Sequence, residues 1–536
     1  MSLTFQAFCE RQKLTADLLS DPSYKLNITV DPASLSAGKD YLPEDSLELA
    51  GGLQIVSNVD IRLPDVIKVG GDLILVGRGI KSLPRKLEVG GKLEMRGTAV
   101  EEIHSGCSVG HLKVGETPLR FLPDDWVVPG DIHFRRCGFL VLPNGLSAGS
   151  LRLVGCKVSE LPARLSVRDE LYISGSFISE IPADCRCGVL TAEDSGLVKL
   201  PDNWSVEGGL YLSGVAIRVL PKGLHTSFLD ISETRIEEIP SDCEVGVLKA
   251  NCSCMTRLPE NWTVNGNLNL SGCKFLKELP RGLCVRGTLY ICETSIKEIP
   301  SGCRVGSLDA TKSTLERLPD NWVVEGDVDL FGCERMKELP HSLQVGGYLT
   351  IMRTNITRIP SDTKFHSLCA NNTPLNDLGG HNKVEGHLML RGTGFKSLPE
   401  RLEVGGDLQL DNLKIGKLPD YLRVGGSMSC EFAQVYSFSK DGVVAGSVAC
   451  RGCHPRLVPA GFIAADTTYL KAKENRMFEF TSSGLEFHPN GQYCRYKGEV
   501  WRVVERDEKG VRIKRLLTDE EWYLKKDKGG RYRLLN

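Results

Sequence analysis

The chain has 536 residues, of which 41% are apolar and 25% charged, and its formal net charge is −2. This composition is typical of a soluble globular protein, and the charge balance gives no reason to expect nucleic acid or an acidic membrane as a partner. No apolar run approaches the length of about 18 residues that a membrane-spanning helix needs, so no membrane insertion is expected.

The N-terminal 40 residues are predicted to form a helical cap. Residues 2–20 carry Phe5, Phe8 and Leu18 at helical spacing and stop at Pro22, which predicts one amphipathic helix. The segment lacks the basic and apolar regions of a secretory signal peptide, so the 19 cysteines of the whole chain are expected to be reduced thiols. We therefore expect a cytoplasmic protein, or one delivered to a host by a route that needs no signal peptide.

A Leu-Pro or Ile-Pro pair recurs from Pro43 to Pro459, mostly at steps of 19 to 21 residues. Aligned on the proline, the unit reads L-P-x-x-L-x-V-G-G-x-L-x-L-x-G-T-x-I-x-x-L-P, and residues 84–104 show it well. The L-x-L core recurs in about 21 copies between Leu53 and Val448. Residues 41–472 are therefore predicted to be one repeat domain.

Each repeat predicts one coil of a β-rich solenoid. The alternation of Leu93 and Met95 has the period of two that is expected of a short strand with one buried face. Glycine pairs before this strand, and Gly-Thr or Gly-Cys after it, mark the turns. A single coil has no core of its own, whereas stacked coils bury a continuous apolar column. The V-G-G before the strand predicts a second short extended segment in each coil.

This pattern resembles the leucine-rich-repeat family, whose LxxLxLxxNxLxxLP overlays on Leu93, Met95, Thr98, Val100 and Ile103. The short Leu-Pro-ending units look most like the repeats of bacterial effectors. The resemblance implies a leucine-rich-repeat arc of about 21 coils with one parallel sheet. Thr, Cys or Ser mostly replaces the family's asparagine and can still offer a hydrogen bond to the turn backbone. Because of the second extended segment, a parallel β-helix is the alternative architecture.

The repeat disappears near residue 473, and residues 473–536 predict a small antiparallel β domain, loosely similar to SH3-like modules. Short runs that alternate β-forming and charged residues, such as Val500–Val504, are separated by turn signals such as Lys509-Gly510. Residues 471–536 contain 16 Lys and Arg against 11 Asp and Glu. A solvated domain surface explains this charge without nucleic acid.

No residue pattern indicates catalysis, a metal or a cofactor. Cys450 and Cys453 form a CxxC pair, but the repeat register alone produces this spacing and no second pair follows. A β-helix glycosidase would need two carboxylates in one cleft. The candidates Asp230, Asp309 and Asp329 occupy outward strand positions, where a repeat scatters acids in any case.

The outward side chains of the L-x-L strands form the natural binding surface of such a solenoid. Two features stand out on it: a basic stretch over the early coils and a set of tyrosines beyond that stretch, and both Tyr and Arg are favoured anchors at interfaces. The candidate partner-binding residues are Arg96, Lys113, His133, Arg135, Arg152, Tyr172, Tyr211 and Tyr290.

The leading hypothesis is a non-enzymatic scaffold that recognises a protein partner through the solenoid face, with a bacterial effector as one setting. The C-terminal domain would then provide a second contact. A structural spacer or assembly component of a larger particle, such as a virion, is the alternative, and its affinity would reside in the two ends. A carbohydrate-active β-helix enzyme is the third hypothesis. The sequence leaves the partner's identity and the oligomeric state open.

Overall fold

A computed structural model describes residues 4–31, 42–453, 455, 458–459, 461–466, 486–487, 492–496, 499–507, 509–516, 520–526 and 532–534. The chain divides into two compact units, Met1–Pro259 and Glu260–Asn536. Both are built from parallel β-coils, and the chain as a whole is a parallel β-solenoid of about 21 turns with a separate antiparallel sheet at its C-terminal end. The predicted fold class, a mainly β repeat solenoid, is confirmed.

The first unit begins with two short helices, α1 (Phe5–Gln12) and α2 (Ala16–Ser20). Its described residues then form 16 strands: β1 (Lys25–Val30), β2 (Ser46–Leu49), β3 (Gly52–Ser57), β4 (Val66–Val69), β5 (Leu73–Val76), β6 (Lys86–Arg96), β7 (Cys107–Gly115), β8 (Val127–Val128), β9 (Ile132–Arg135), β10 (Ser147–Ala148), β11 (Leu151–Val154), β12 (Ser166–Tyr172), β13 (Arg186–Thr191), β14 (Ser205–Tyr211), β15 (His225–Asp230) and β16 (Glu244–Lys249).

The second unit continues the same pattern. Its described solenoid strands are β17 (Thr263–Val264), β18 (Leu268–Asn269), β19 (Cys284–Tyr290), β20 (Arg304–Asp309), β21 (Val323–Val324), β22 (Val328–Asp329), β23 (Gln344–Thr350), β24 (Lys364–Cys369), β25 (Lys383–Val384), β26 (Leu388–Met389), β27 (Arg401–Val404), β28 (Leu408–Gln409), β29 (Gly416–Lys417), β30 (Tyr421–Val424), β31 (Met428–Ser429), β32 (Val435–Ser437), β33 (Asp441–Ala449) and β34 (Ile463–Asp466). An antiparallel sheet follows, with β35 (Glu486–Phe487), β36 (Tyr493–Tyr496), β37 (Glu499–Arg506), β38 (Gly510–Arg515), β39 (Glu521–Lys526) and β40 (Tyr532–Leu534).

Each coil contributes to two parallel ladders. The L-x-L segments pair in one ladder, as in Leu73 with Leu93 and Leu93 with Leu112. The segments before the Gly-Gly pair form the other, as in Ile67 with Leu87. In β6 and β7 the two segments merge into continuous strands, with a register shift at the glycines. The second extended segment that V-G-G predicts is therefore present.

The core is the aliphatic column inside the coils. In the coil of residues 84–104, the side chains of Leu87, Leu93, Met95, Val100 and Ile103 are all buried. The alternation in each L-x-L segment places its two apolar side chains inward and the residue between them outward. The repeat therefore fixes which side chains of each coil face solvent.

Threonines stabilise the turn after the L-x-L segment in several coils. The hydroxyls of Thr234 and Thr294 each donate to the carbonyl oxygen three residues earlier at 2.7 Å. The preceding residues, Glu233 and Glu293, have φ values of 60° and 55°, and Gly272 takes the same left-handed conformation in another coil. The expectation that Thr replaces the family's asparagine as the hydrogen-bonding group is confirmed at these turns.

The N-terminal prediction of one helix is wrong. Lys13 adopts a left-handed conformation that ends α1, and the Thr15 hydroxyl accepts a hydrogen bond from the Leu18 amide, which starts α2. Residues 2 and 3 of the predicted helix lie outside the described residues. Phe8 is buried, and the Ala50 amide donates to the Leu19 carbonyl, so the helices pack on the first coils. Strand β1, inside the predicted cap, already pairs in parallel with β3.

The antiparallel sheet covers the last solenoid coils of the second unit. Val443 and Ile463 of the solenoid share one buried cluster with Tyr493, Val500 and Leu516. The strands β35 to β40 pair with their neighbours in chain order, as the alternating runs predicted. Residues 467–485, which contain the predicted boundary at residue 473, lie outside the described residues, so that boundary stays a prediction, as does the one at residue 41.

Candidate functional site

The outward residues of the L-x-L ladder form a continuous row along the first unit. Strands β6, β7, β9, β11, β12, β13, β14, β15 and β16 place their middle residues directly beside one another, in register from coil to coil. We call this row the ladder face; its members are Glu94, Lys113, His133, Arg152, Tyr172, Thr191, Tyr211, Asp230 and Lys249.

A second outward row runs beside the ladder face, two residues later in each strand. Arg96 of β6 and Arg135 of β9 belong to it, separated by Gly115 of β7. Both arginines are exposed. The structure therefore brings together seven of the eight predicted binding residues on one side of the first unit.

Tyr290 is the exception, because it lies in the second unit. There it is half-buried and pairs in register with Asn269 and Asp309. Its participation in a common site with the other seven residues stays a prediction.

Glu94 organises the basic end of the ladder face. Its side chain is 3% exposed, and Arg96 Nε donates to its Oε1 at 2.7 Å. Lys113 Nζ lies 3.1 Å from the same oxygen, and Lys92 Nζ lies 3.4 Å from Oε2. Burial acts to raise the pKa of Glu94, but the hydrogen bonds and charges of Arg96 and Lys113 outweigh it and lower the pKa to about 2. The carboxylate is therefore ionised at neutral pH and holds the cations in place.

His133 occupies the centre of the basic stretch. Its pKa is lowered first by burial and then by the charges of Lys113, Arg152 and Arg135, so the imidazole is neutral at neutral pH. Its Nε2 atom is buried and has no hydrogen-bond partner among the described residues.

The aromatic part of the ladder face begins at Tyr172. The guanidinium of Arg152 lies 6.0 Å from the Tyr172 ring centre and makes a 2.7 Å ion pair with Glu170. Glu170 also accepts a hydrogen bond from the Thr191 hydroxyl at 2.8 Å. Two coils further along, the rings of Tyr211 and Phe228 are 5.0 Å apart. Both tyrosines are half-buried, so their rings are held in place while one side stays open to solvent.

The sequence alone did not reveal two of these contributors, Glu170 and Phe228, which support the tyrosines. Asp230 was expected to face outward, but its 2.9 Å ion pair with Lys249 was not expected. The strand alternation carries a signal for both missed residues, since Glu170 lies two residues before Tyr172 in β12 and Phe228 lies two residues before Asp230 in β15.

The outward row of the second unit has a different charge. Asp309 and Asp329 are direct neighbours in the ladder. Burial raises the pKa of Asp329, and the nearby charges of Asp309 and Asp327 act in the same direction, against a hydrogen bond from the Phe331 amide. Neither Asp309 nor Asp329 makes an ion pair with the described residues.

The cysteines follow the repeat rather than a chemical site. Cys450 is buried at an inward strand position, and the Cys453 thiol donates to the Cys430 carbonyl at 2.7 Å, as the Cys333 thiol does to the Ala310 carbonyl at 3.1 Å. Across the described ranges, no three His, Cys, Asp or Glu side chains are grouped to hold a metal ion. No described helix has the length and apolarity needed to cross a membrane.

Comparison with known proteins gives a structural likeness only. The solved structure of YopM from Yersinia enterocolitica WA-314 aligns with 70% of this chain and 92% of its own, at 16% sequence identity and a TM-score of 0.30. No family model matches the chain, and no curated protein matches it. Function is therefore inferred from the side chains of the chain itself.

Proposed function

We propose that this protein is a non-enzymatic scaffold that binds a protein partner through the ladder face of the first unit. The observation that carries the proposal is the unbroken in-register row from Glu94 to Lys249, in which basic, aromatic and acidic side chains follow one another on a rigid sheet. No single charge or residue type recurs in every coil of the row. Such a mixed surface suits one defined protein surface better than a repetitive ligand.

Two tyrosines of the row are held in place by neighbouring side chains, as residues that anchor protein interfaces often are. Tyr and Arg are enriched among residues that carry binding energy, and they contribute most where they are pre-ordered. Tyr172 is held beside Arg152, and Tyr211 beside Phe228. Binding would therefore cost little side-chain conformational entropy at Tyr172 and Tyr211.

The proposed setting follows from the sequence. The repeats resemble those of bacterial effectors, so we propose that the protein acts in the cytoplasm, or in a host cell that it reaches without a signal peptide. An assembly role in a larger particle is the competing hypothesis. In that case the ends of the solenoid, and not the ladder face, would carry the affinity.

The test is affinity capture of a partner by the full-length protein, followed by binding measurements with the purified partner. The variant Tyr172→Ala/Tyr211→Ala removes both rings from the ladder face. The control Phe177→Ala/Val219→Ala removes two side chains that are 73% and 74% exposed elsewhere on the same unit. We expect the tyrosine variant to weaken binding by roughly a hundredfold, since an interface anchor contributes about 2 kcal/mol or more, and the control to bind as the wild type does.

Equal binding by the tyrosine variant and the wild type would contradict the proposal. Loss of binding only on changes in the antiparallel sheet would instead favour the assembly hypothesis. Circular dichroism and thermal unfolding of both variants check that any loss of binding is not a loss of folding.

A further inference from the structure

The basic end of the ladder face, together with the second outward row beside it, carries more positive charge than the described residues neutralise. Arg96, Lys113, Arg135 and Arg152 come from four consecutive coils and are exposed. Neighbouring parallel strands lie about 4.8 Å apart, so the run extends over roughly 15 Å. This is the length of a few residues of extended peptide.

Two carboxylates pair with three of these four cations. Glu94 takes Arg96 and Lys113, and Glu170 takes Arg152. Arg135 makes no ion pair with the described residues. The ladder face continues with neutral residues from Tyr172 to Tyr211, and the next acid of the second row, Glu193, lies two coils beyond Arg152.

His133 adds a titratable group to this charge. It lies between Lys113 and Arg152 in the ladder, and Arg135 is on its own strand. The side chain of His133 is half-buried among these three cations. An anion bound to the cations would therefore act on the protonation of the imidazole.

The run is too short for a nucleic acid. Binding to a phosphate backbone grows with the number of phosphates that are neutralised, and it needs cations that continue along the strand. Here the cations end after four coils and aromatic residues follow. Arginine and tyrosine next to each other are instead typical of protein recognition.

We propose that Lys113, His133, Arg135 and Arg152 form the binding site for a carboxylate-rich segment of a protein partner, which rests on the proposed function. Arg135 takes an acidic side chain that none of the described residues supplies, and the imidazole of His133 adds a positive charge when it is protonated. Tyr172 and Tyr211 then contact the part of the partner that continues along the ladder face.

The test is fluorescence anisotropy of the full-length protein with a short labelled glutamate peptide, against a glutamine peptide of equal length. The glutamate peptide should bind and the glutamine peptide should not. Arg135→Gln should weaken binding about tenfold, the effect of roughly 1.4 kcal/mol. Arg218→Gln changes an exposed arginine elsewhere on the first unit and should bind as the wild type does.

The pH dependence separates His133 from the permanent charges. Burial and the nearby charges of Lys113, Arg152 and Arg135 hold the pKa of His133 below its ordinary value in the free protein, and a bound carboxylate raises it. The affinity for the peptide should therefore rise as pH falls below the ordinary histidine value of about 6.5. His133→Gln should abolish the rise. His111, an exposed histidine on β7 whose Nδ1 lies 3.9 Å from Asp131, is the matched control. The His111→Gln variant should keep the rise in affinity at lower pH.

Two results would overturn this inference: equal affinity for the glutamine peptide, or a single-stranded oligonucleotide of matched charge that binds more tightly and is weakened by Arg135→Gln. The proposed function fails separately. A captured partner that still binds the Arg135→Gln variant but no longer binds the Tyr172→Ala/Tyr211→Ala variant would support the proposed function. It would contradict only the proposal of an acidic segment.

Discussion

Glu94 shows how a single side chain determines the charge of the ladder face. It is an almost fully buried carboxylate that binds three cations, and its pKa is about 2. The repeat pattern places it outward, where a Thr or Tyr stands in other coils. The fold tolerates any of these residues, so Glu94 serves the surface rather than the core.

Glu94→Gln should lower the free energy of unfolding at neutral pH by about 1–2 kcal/mol, less than the depressed pKa alone implies because Arg96 and Lys113 are solvent-exposed. A carboxyl whose pKa is lowered on folding stabilises the protein above its unfolded-state pKa, and this contribution is lost as pH falls toward the folded-state value of about 2. The difference between variant and wild type should therefore shrink below pH of about 4.5. Denaturant unfolding at several pH values measures it.

Glu116→Gln is the control for this measurement. Glu116 is 67% exposed and its nearest cation, Arg136, lies 3.4 Å away, so its removal should change stability little. A stability difference for Glu94→Gln that stays constant from neutral to acidic pH would show that its ion pairs are not the cause.

At the scale of the element, the coil could be predicted from the sequence because the same residue pattern recurs in each copy. The inward residues of the ladder, the turn threonines and the second extended segment all follow from the period. The break between α1 and α2 did not follow, because it depends on one left-handed residue, Lys13, and on a cap formed by Thr15. Thr15 followed by Ala16 and Asp17 is a helix start signal. The prediction of one helix gave more weight to the apolar spacing of Phe8 and Leu18.

The contacts of the candidate site were harder to predict than its location. Alternation alone places Lys113 and Tyr172 outward. The ion-pair partner of each cation depends on coil lengths of 19 or 20 residues and on side-chain conformations. Glu94 reaches Lys113 one coil later, whereas Arg152 reaches Glu170, which is not its direct ladder neighbour. These offsets are set by packing and not by the period.

A tryptophan links neighbouring coils at regular intervals. The indole N–H of Trp204 donates to the Cys185 carbonyl of the preceding coil at 3.0 Å, and Trp126 and Trp322 make the equivalent bonds at 3.0 and 2.8 Å. Each indole is buried. The recurring Trp and Cys of the sequence therefore have a structural role.

Trp204→Phe should destabilise the first unit by about 1–3 kcal/mol, because it leaves the buried Cys185 carbonyl without this donor and removes packed volume. Replacing Trp204 with benzothienylalanine keeps the shape and removes only the N–H, so it should cost part of that amount. Thermal unfolding measures both. Wild-type stability of the benzothienylalanine protein would mean that the hydrogen bond adds nothing.

At the scale of the molecule, the ends of the solenoid are covered by structure from outside the repeat. In the second unit, Val500 of the antiparallel sheet packs against Val443 and Ile463 of the last coils. In the first unit, α1 buries Phe8 on the first coils. An exposed coil end is an apolar surface, so covers of this kind keep a solenoid soluble.

Val500→Asp should separate the antiparallel sheet from the last coils, because it places a charge inside the shared cluster at a cost of several kcal/mol. Strands β33 and β34 should then exchange their amide hydrogens faster. Val504→Asp, on the same strand at a position that is 47% exposed, should leave exchange unchanged. Faster exchange in both variants, or in neither, would contradict the role of the sheet as a cover.

The most direct test of the central claim is site-specific photo-cross-linking from the ladder face in the full-length protein. A photoreactive phenylalanine analogue replaces Tyr172 in one variant and the exposed Val219 of the same unit in another. We expect one abundant cross-linked protein from position 172 that is absent from position 219. Cross-links that form from Val504 of the antiparallel sheet but not from position 172 would contradict it, since recognition would then lie outside the ladder face.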